Sequence, residues 1–345
     1  MAFYQCPKCK KVWQYPVEKC PQCFLKLEKL KSTKIGVVGI SKVQIPTMFH
    51  QKTPYFVLLL EDENGNRWVQ KSVKEYKIGD EFKIEKTKDK NGVAIWRIKY
   101  DILEAIEKVV ELIGGLELNQ DSKILILPTL ISPKHPYLAE NTSPEFLETT
   151  IEYLIEKGVR PENIKVASQS FDETPIGVSA QKSQLLRVCQ EKKVLPIDLA
   201  EKNFVKKGNF EISEETLSSN LILNLPIMKI GKLSASENIL KILKKENYLG
   251  LKYLSSDEEI TKNLAKILDN IFTLAEADRI QKSDGFCSYL GLVLASFNSL
   301  NLDRIFFEVT NFRNLPEILK EVKIENIPIL GRGIEEVKFK VEKYG

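Results

Sequence analysis

Short runs of alternating apolar and polar residues fill the segment from residue 33 to residue 100 and predict β-strands. Asn64-Gly65 and Asn91-Gly92 each separate two runs, and Asn-Gly is the preferred pair for a two-residue hairpin turn. The predicted strands are Thr33–Ile45, Tyr55–Glu61, Arg67–Ser72, Glu81–Lys86 and Val93–Lys99. Five strands in so short a segment predict an OB-type Greek-key barrel, a pattern that other small β-barrels share.

From residue 101 onward, continuous apolar runs alternate with helical patterns, which predicts a mostly parallel sheet flanked by helices. The clearest helix has Ser143 as its N-cap and Pro144 at its first position, and it ends at Gly158. The predicted strands are Lys123–Leu127, Ile164–Ala167, Val194–Ile197, Leu221–Leu225, Phe272–Glu276 and Leu292–Phe297. The other predicted helices are Ser179–Gln190 and segments near 235–245, 257–270 and 301–310.

The first segment contains two Cys-x-x-Cys pairs, Cys6 with Cys9 and Cys20 with Cys23. Each pair forms a tight knuckle that directs two sulfur atoms at one point, and two knuckles complete a tetrahedral zinc site. Four thiolates saturate the ion, so we predict structural Zn²⁺; a redox role and bound iron are the alternatives. The predicted fold is α/β with a small β domain, comprising a zinc ribbon (1–32), an OB-type barrel (33–100) and an α/β domain (101–345).

The net charge of +4 over 345 residues hides an asymmetry between the two parts of the chain. Residues 1–100 hold 20 Lys and Arg against 10 Asp and Glu, whereas residues 101–345 hold 31 against 37. A basic N-terminal part favours an anionic partner such as nucleic acid, a phosphorylated cofactor or an acidic protein face. A lysine-rich surface that is only exposed to solvent would give the same excess of positive charge.

The sequence predicts a cytoplasmic protein with no membrane segment. No apolar run approaches the ~18 residues that span a bilayer, and the N-terminus lacks an export signal. In that compartment, cysteines bind metal more often than they form disulfides. Cys189 and Cys287 fall in apolar surroundings, and we interpret them as plain buried residues.

Several common enzyme motifs are absent from the sequence. No Gly-x-Gly-x-x-Gly follows a strand, and neither a Walker-type loop nor Gly-x-Ser-x-Gly occurs. His50 and His135 are the two histidines, which restricts acid/base chemistry. We interpret His50 as a surface residue. His135 lies in a proline-rich loop, which favours a bystander role, with catalysis as the alternative.

Polar residues gather where the predicted parallel strands end. Thr142 leads into a helix N-terminus, and Asn224 and Lys229 lie at and beyond the end of another strand. Because ligands of open parallel sheets bind at these ends, the three residues are candidates for binding a phosphate or carboxylate. Ordinary polar loops would give the same distribution.

Residues 1–100 resemble the zinc-ribbon and OB-fold proteins catalogued as domain of unknown function 35. The shared pattern comprises the two Cys-x-x-Cys pairs, Gly36-x-x-Gly39, Pro46, Pro54-Tyr55 and Ile78-Gly79-Asp80. The resemblance implies acyl-CoA-associated function and docking onto a thiolase-type enzyme.

Residues 123–340 resemble an α/β family, domain of unknown function 362. The matching positions are Pro128, Thr142-Ser143-Pro144, Ser170, Asn224-Leu225-Pro226, Lys229, Asn247, Gly250, Asp284-Gly285 and Asp303, and Ser168-Gln169 stands where the family has Gly-Asp. The resemblance adds Asn247 to the candidate ligand-binding residues Thr142, Asn224 and Lys229. The family's ferredoxin cysteines are absent, so no iron–sulfur cluster is implied.

Three hypotheses of function follow. The first is a zinc-containing adaptor that presents or acts on an acyl-CoA-like or other anionic metabolite, with little or no catalysis of its own. The second is an enzyme whose anionic substrate binds at the edge of the α/β sheet. The third is single-stranded nucleic-acid binding by the basic N-terminal part, with Tyr55 and Trp68 stacking on bases.

Overall fold

The computed structural model describes residues 3–14, 17, 19–30, 34–45, 54–72, 75–82, 90–99, 101–172, 174–281 and 287–339. The chain divides into a first compact unit, residues 1–85, and a second, residues 86–345. Pro46, His50, Asp284-Gly285 and most of the predicted strand Glu81–Lys86 lie outside the described residues.

The first unit contains two small antiparallel sheets. The strands are β1 (Phe3–Gln5), β2 (Val12–Trp13), β3 (Glu28–Leu30), β4 (Ile35–Val43), β5 (Tyr55–Asp62) and β6 (Arg67–Ser72). The order is β2-β1-β3 in one sheet and β4-β5-β6 in the other. Alternate residues of β5, including Leu58 and Leu60, form the core with Trp68, whose ring centroid lies 5.6 Å from that of Phe3.

The five-stranded barrel expected at residues 33–100 is not what the described residues form. Three of its strands make the β4-β5-β6 sheet, and the fourth is represented by a single bridge between Gly36 and Glu81. The expected strand Val93–Lys99 is observed as β7 (Val93–Arg97), but it pairs with strands of the second unit. Its residues Val93, Ala94 and Ile95 are fully buried there, which is why it joins the larger sheet.

The second unit is a large mixed sheet with helices on both faces. Its remaining strands are β8 (Ile124–Pro128), β9 (Ile164–Ser168), β10 (Leu195–Asp198), β11 (Phe204–Lys207), β12 (Phe210–Ser213), β13 (Leu221–Leu225), β14 (Ile227–Lys229), β15 (Ile271–Gln281), β16 (Cys287–Ser296) and β17 (Ile329–Gly331). Its helices are α1 (Ile102–Leu112), α2 (Pro144–Glu156), α3 (Ile176–Lys182), α4 (Leu185–Lys192), α5 (Glu214–Leu217), α6 (Ser234–Asn238), α7 (Lys245–Lys252), α8 (Asp257–Leu264), α9 (Ser299–Val309), α10 (Glu317–Lys320) and α11 (Ile334–Val337).

The strand order of the large sheet places a switch point between β8 and β13. The order is β10-β9-β8-β13-β15-β16-β7-β17, with β14 also paired to β15, and β11 and β12 form a separate hairpin. Neighbouring strands are parallel along the part of the sheet ordered β10-β9-β8-β13-β15. Strand β16 is antiparallel to both of its neighbours, β15 and β7. The chain moves outward through β8, β9 and β10 and then returns to the other side of β8. The predicted α/β class with a largely parallel sheet is therefore confirmed at this level.

Side chains of β8 alternate between two hydrophobic cores. Ile124 and Ile126 pack on one face with α1, α2 and α4, whereas Leu125 and Leu127 pack on the other with the 239–243 segment, α7 and α8. On that second face, α9 covers β16 and β7. Continuous burial on both faces explains why these strands are uninterrupted apolar runs in the sequence.

Two predicted helices differ from the observed ones. The helix expected at Ser179–Gln190 is two helices, α3 and α4, because Gln184 adopts a left-handed φ of 63° that no α-helix continues through. The helix expected near 235–245 is only α6 followed by a 3₁₀ turn at Ile239–Ile242. By contrast, α2 begins as predicted, with the Ser143 hydroxyl accepting from the Phe146 amide at 3.1 Å.

Candidate functional site

Four cysteine sulfurs of the first unit lie together at the predicted metal site. The Sγ atoms of Cys6, Cys9, Cys20 and Cys23 are all within 4.8 Å of one another, and Cys9 Sγ lies 3.7 Å from Cys20 Sγ. A tetrahedral ion with Zn–S bonds of about 2.3 Å needs sulfurs about 3.8 Å apart. The cluster therefore has the size of a four-thiolate metal site.

Backbone hydrogen bonds shape the two knuckles in the same way. The Cys6 amide donates to Lys11 O at 3.0 Å, and the Cys20 amide donates to Leu25 O at 2.8 Å. Lys10 and Phe24 occupy equivalent positions and have left-handed φ angles of 58° and 56°. This conformation costs ~1–2 kcal/mol for a residue with a Cβ, so the knuckle geometry is maintained against a local preference.

In the second unit, Thr142 lies at the switch point and joins the ends of β8 and β13. Its hydroxyl donates to Leu225 O at 2.7 Å and accepts from the Thr129 amide at 2.9 Å. The Thr142 amide also donates to Thr129 O at 2.9 Å. Thr142 is fully buried, and its hydroxyl is engaged within the protein.

Asn224 belongs to the same hydrogen-bonded network. Its side-chain amide donates to Ala235 O at 2.8 Å and to Thr273 Oγ1 at 3.1 Å, and its Oδ1 accepts from Asn238 Nδ2 at 2.9 Å. Asn238 also donates to Leu127 O at 2.8 Å and accepts from the Thr129 hydroxyl at 3.1 Å. The network fixes the ends of the two central strands relative to the segment that follows β13.

Lys229 and Lys241 lie at the same edge of the sheet, and both are partly buried. Lys229 ends β14, while Lys241 is in the 3₁₀ turn and donates to Leu130 O just beyond β8. Gln169, directly after β9, anchors that turn by donating to Lys241 O at 2.6 Å and Leu243 O at 2.7 Å. Neither ammonium group lies within 4 Å of a carboxylate among the residues that the structure describes, although Glu140 and Asp172 are near enough to influence Lys229 and Lys241 electrostatically.

Burial lowers the pKa of both lysines. The pKa of Lys241 falls to about 7, chiefly through desolvation and secondly through repulsion from the Lys229 ammonium. The pKa of Lys229 is also lowered, by desolvation, although Glu140 partly opposes the change. Glu140 and Asp172 partly compensate the charges of Lys229 and Lys241, respectively. Two partly buried cations that repel each other still favour an anion between them.

Glu276 lies beside the same strand ends, and the pKa of its carboxyl group is raised, whereas the pKa values of the two lysines are lowered. It is buried in β15, its amide donates to Pro226 O at 2.8 Å, and its Oε2 accepts from the Ser143 amide at 2.8 Å. Desolvation raises its pKa to about 7 although the Ser143 bonds oppose the change. The edge of the sheet therefore carries an amine and a carboxyl group that both titrate near neutral pH.

Asn247 is located on α7, away from the switch-point network. Its Oδ1 accepts from the Glu211 amide at 3.0 Å, and its Nδ2 donates to Asn209 O at 3.0 Å. These bonds attach α7 to the β11–β12 hairpin. Asp303 is likewise engaged, because it accepts from the Ala235 and Ser236 amides at 2.9 and 2.8 Å.

Other residues from the sequence analysis have different environments. His135 is exposed and caps a 3₁₀ turn by accepting from the Tyr137 amide at 3.3 Å. Cys189 is buried as predicted, but Cys287 is only half-buried. Tyr55 and Trp68 are buried, so neither presents an open ring face for stacking on a base, as the nucleic-acid hypothesis required.

Sequence reasoning missed Lys241 and Glu276, and it noted Gln169 only as one of several polar residues that follow a predicted strand. A signal was present for the first two, since Lys241 interrupts the apolar run 239–243 and Glu276 interrupts the run 274–277. A charged residue inside a buried run is rarely tolerated without a specific environment. Gln169 gave no comparable signal, because it lies in an ordinary polar loop.

Comparison with known proteins gives little further information. No known protein family matches the chain, and no curated protein matches it either. A solved structure titled "Ltp2-ChsH2(DUF35) aldolase" is 23% identical over 24% of this chain and 68% of that chain, with a TM-score of 0.20. A TM-score of 0.20 does not establish a shared fold. Among the described residues, no helix has the length and apolarity needed to cross a bilayer.

Proposed function

We propose that the protein is a zinc-containing binding protein that holds a small anionic metabolite at the switch point of its large sheet. The observation that carries this proposal is the pair Lys229 and Lys241, two partly buried ammonium groups without an ion-pair partner among the described residues. Thr142 and Asn224 position the strand ends in this proposal and do not bind the ligand directly.

The metal part of the proposal rests on the donor set. Four sulfurs at tetrahedral spacing match Zn²⁺, and a Cys₄ set leaves no open coordination position for a substrate. Zinc bound in this way supplies folding free energy to a segment with few core residues. We therefore assign the ion a structural role in residues 1–85.

A phosphate or carboxylate between the two lysines would remove their mutual repulsion. Each charge-assisted hydrogen bond contributes about 1.5–3 kcal/mol, which corresponds to about ten- to a hundredfold in affinity. Acyl-CoA as the metabolite and a thiolase-type enzyme as the partner enter the proposal through the family resemblance of residues 1–100. CoA contains the phosphate groups that the lysine pair would recognise.

Calorimetry of the full chain with CoA and acetyl-CoA tests the proposal. We expect Lys229→Met and Lys241→Met each to weaken binding about ten- to a hundredfold, whereas Lys182→Met, an exposed lysine on α3, leaves it unchanged. Because an anion raises the pKa of Lys241 from about 7, binding at pH 7.5 should take up protons. Titrations in two buffers of different ionisation enthalpy measure that uptake, and affinity should fall as pH rises above 7.

The outcome also separates the competing hypotheses. CoA binding that is lost in high salt but unchanged in both lysine variants would refute the switch-point site. It would favour the first unit, whose described lysines are all exposed. Tight binding of single-stranded DNA without any heat from CoA would favour the nucleic-acid hypothesis instead.

One observation favours an enzyme as the second candidate function. Lys241 and Glu276 both titrate near pH 7 at one edge of the sheet, and such groups suit proton transfer at neutral pH. Mass spectrometry of acyl-CoA incubated with the protein tests it. Turnover that is lost in Glu276→Gln while CoA still binds would support catalysis, and unchanged acyl-CoA would contradict it.

A further inference from the structure

A second candidate site lies in the same unit, between α3, α4 and the ends of β9 and β10. It is a pocket of about 230 Å³ that opens at the carboxyl edge of the sheet. Val166 forms part of its floor, and Leu185 and Cys189 of α4 form part of its wall. Its lining is mostly apolar, which is typical of pockets that bind small molecules.

The polar end of the pocket is formed by Ser168 and Asp198. The two residues are paired in register on neighbouring parallel strands, and alternation puts their side chains on the same face as Val166. That is the face against which α4 packs, and both residues line the pocket. Neighbouring strands lie about 4.8 Å apart, so one ligand atom can contact both side chains.

Both side chains have unused hydrogen-bonding capacity. Ser168 is 3% exposed, and its buried hydroxyl has no hydrogen-bond partner among the described residues. One oxygen of Asp198 accepts from the Ala200 amide at 3.0 Å, which leaves the other oxygen available. Because buried polar groups are nearly always hydrogen-bonded, the orphan hydroxyl indicates a ligand atom at this point.

The charge of the lining selects the kind of ligand. Among the residues that the structure describes, Asp198 and Glu201 are the charged ones that line the pocket, and no described lysine, arginine or histidine lines it. A carboxylate or phosphate would be repelled by the two carboxylates, whereas an ammonium group would form a charge-assisted hydrogen bond. This preference is opposite to that of the Lys229–Lys241 pair.

The volume sets the size of the ligand. An apolar cavity of about 150 Å³ binds benzene, which has six carbon atoms. In proportion, 230 Å³ accommodates about nine non-hydrogen atoms. We propose that this pocket binds a small primary amine with an apolar body of about this size, its ammonium group between Ser168 and Asp198. The inference goes beyond the anion site and does not depend on it.

Calorimetry of the full chain with 2-phenylethylamine, 2-phenylethanol and phenylacetate tests the inference. The three probes share an apolar body and differ in the charge of the polar end. We expect the amine to bind about tenfold or more tightly than the alcohol, and phenylacetate to bind weakest. Phenylacetate binding equal to or tighter than the amine, or the absence of amine binding at millimolar concentration, would overturn it.

Variants locate the site. Asp198→Asn keeps an acceptor for the Ala200 amide but removes the charge, so amine affinity should fall about tenfold while alcohol affinity changes little. Ser168→Ala should weaken both probes severalfold, and Asp269→Asn, an exposed carboxylate elsewhere, should weaken neither. Ala180→Phe should fill the pocket and abolish binding of both. If Ala180→Phe does not fold, the Asp198 and Ser168 variants provide the test. Amine affinity equal to that of the wild type in both of these variants would refute the site.

Discussion

Replacing Lys241 by methionine should stabilise the second unit at low pH and lose this effect at high pH. In an unfolded chain the lysine pKa is about 10.4, whereas burial and Lys229 lower it to about 7 in the folded protein. At about 1.36 kcal/mol per pH unit, the shift corresponds to about 4–5 kcal/mol. Because Lys241 is only partly buried, we expect about 2–4 kcal/mol to be measurable.

The sign follows from proton binding in the two states. Below pH 7 the amine is charged in both states, and the folded protein bears the whole cost of burying the charge. Between pH 7 and about 10.4 the unfolded chain binds more protons, so the free energy of unfolding of the wild type rises with pH. The advantage of Lys241→Met should therefore be largest near pH 6 and nearly absent near pH 10.

Urea unfolding at pH 6, 8 and 10, followed by circular dichroism, measures this difference. Methionine keeps most of the side-chain volume, so packing changes little. Lys182→Met is the matched control and should remain within about 0.5 kcal/mol of the wild type at each pH. A Lys241→Met variant that is destabilised at pH 6, or that differs from the wild type by the same amount at every pH, would refute the reasoning.

Three further predictions concern the metal site and the fold. Cys20→Ser should abolish stoichiometric zinc binding, measured by elemental analysis, and should unfold the first unit while the second unit, which has its own cores, stays folded. A variant that still binds one zinc ion per chain would contradict the assignment. Asn238→Ala removes three buried hydrogen bonds, to the Thr129 hydroxyl, Leu127 O and Asn224 Oδ1, and should cost about 3 kcal/mol or more in urea unfolding. A neutral effect would contradict the network. Gly331→Ala places a Cβ 2.6 Å from Ile95 O at a φ of 86° and should lower the free energy of unfolding by more than about 2 kcal/mol. The control Gly250→Ala, whose Cβ meets no atom within 4 Å, should not destabilise the protein, and equal stability of the two variants would contradict the structure.

Local signals in the sequence predicted most elements of the second unit but not how every strand pairs. The apolar run at 221–225 is a strand with the predicted bounds, because full burial on both faces leaves an unambiguous pattern. The strand at 93–97 was also detected, yet its partners are residues 287–296 and 329–331. Pairing across such separations depends on the whole fold, which no local pattern encodes.

The candidate site shows the same division. The clustering of the four cysteines was predicted from their spacing alone, and their sulfur atoms do lie within 4.8 Å of one another. Thr142 and Asn224 were placed at the correct edge of the sheet, but their hydrogen bonds are satisfied within the protein. Whether a polar side chain faces a ligand or a neighbouring backbone depends on angles that the sequence does not specify.

The position of β7 has a consequence for how the chain folds during synthesis. This strand lies between β16 and β17, yet it is made about 190 residues before β16 begins. At about 5–20 residues per second, a ribosome needs on the order of 10–40 s to produce its first partner. For that interval the fully apolar segment Val93–Ile95 has no strand to pair with, and such exposed segments attract chaperones or other nascent chains. Completion of the large sheet must therefore wait until β17 (Ile329–Gly331) has been translated.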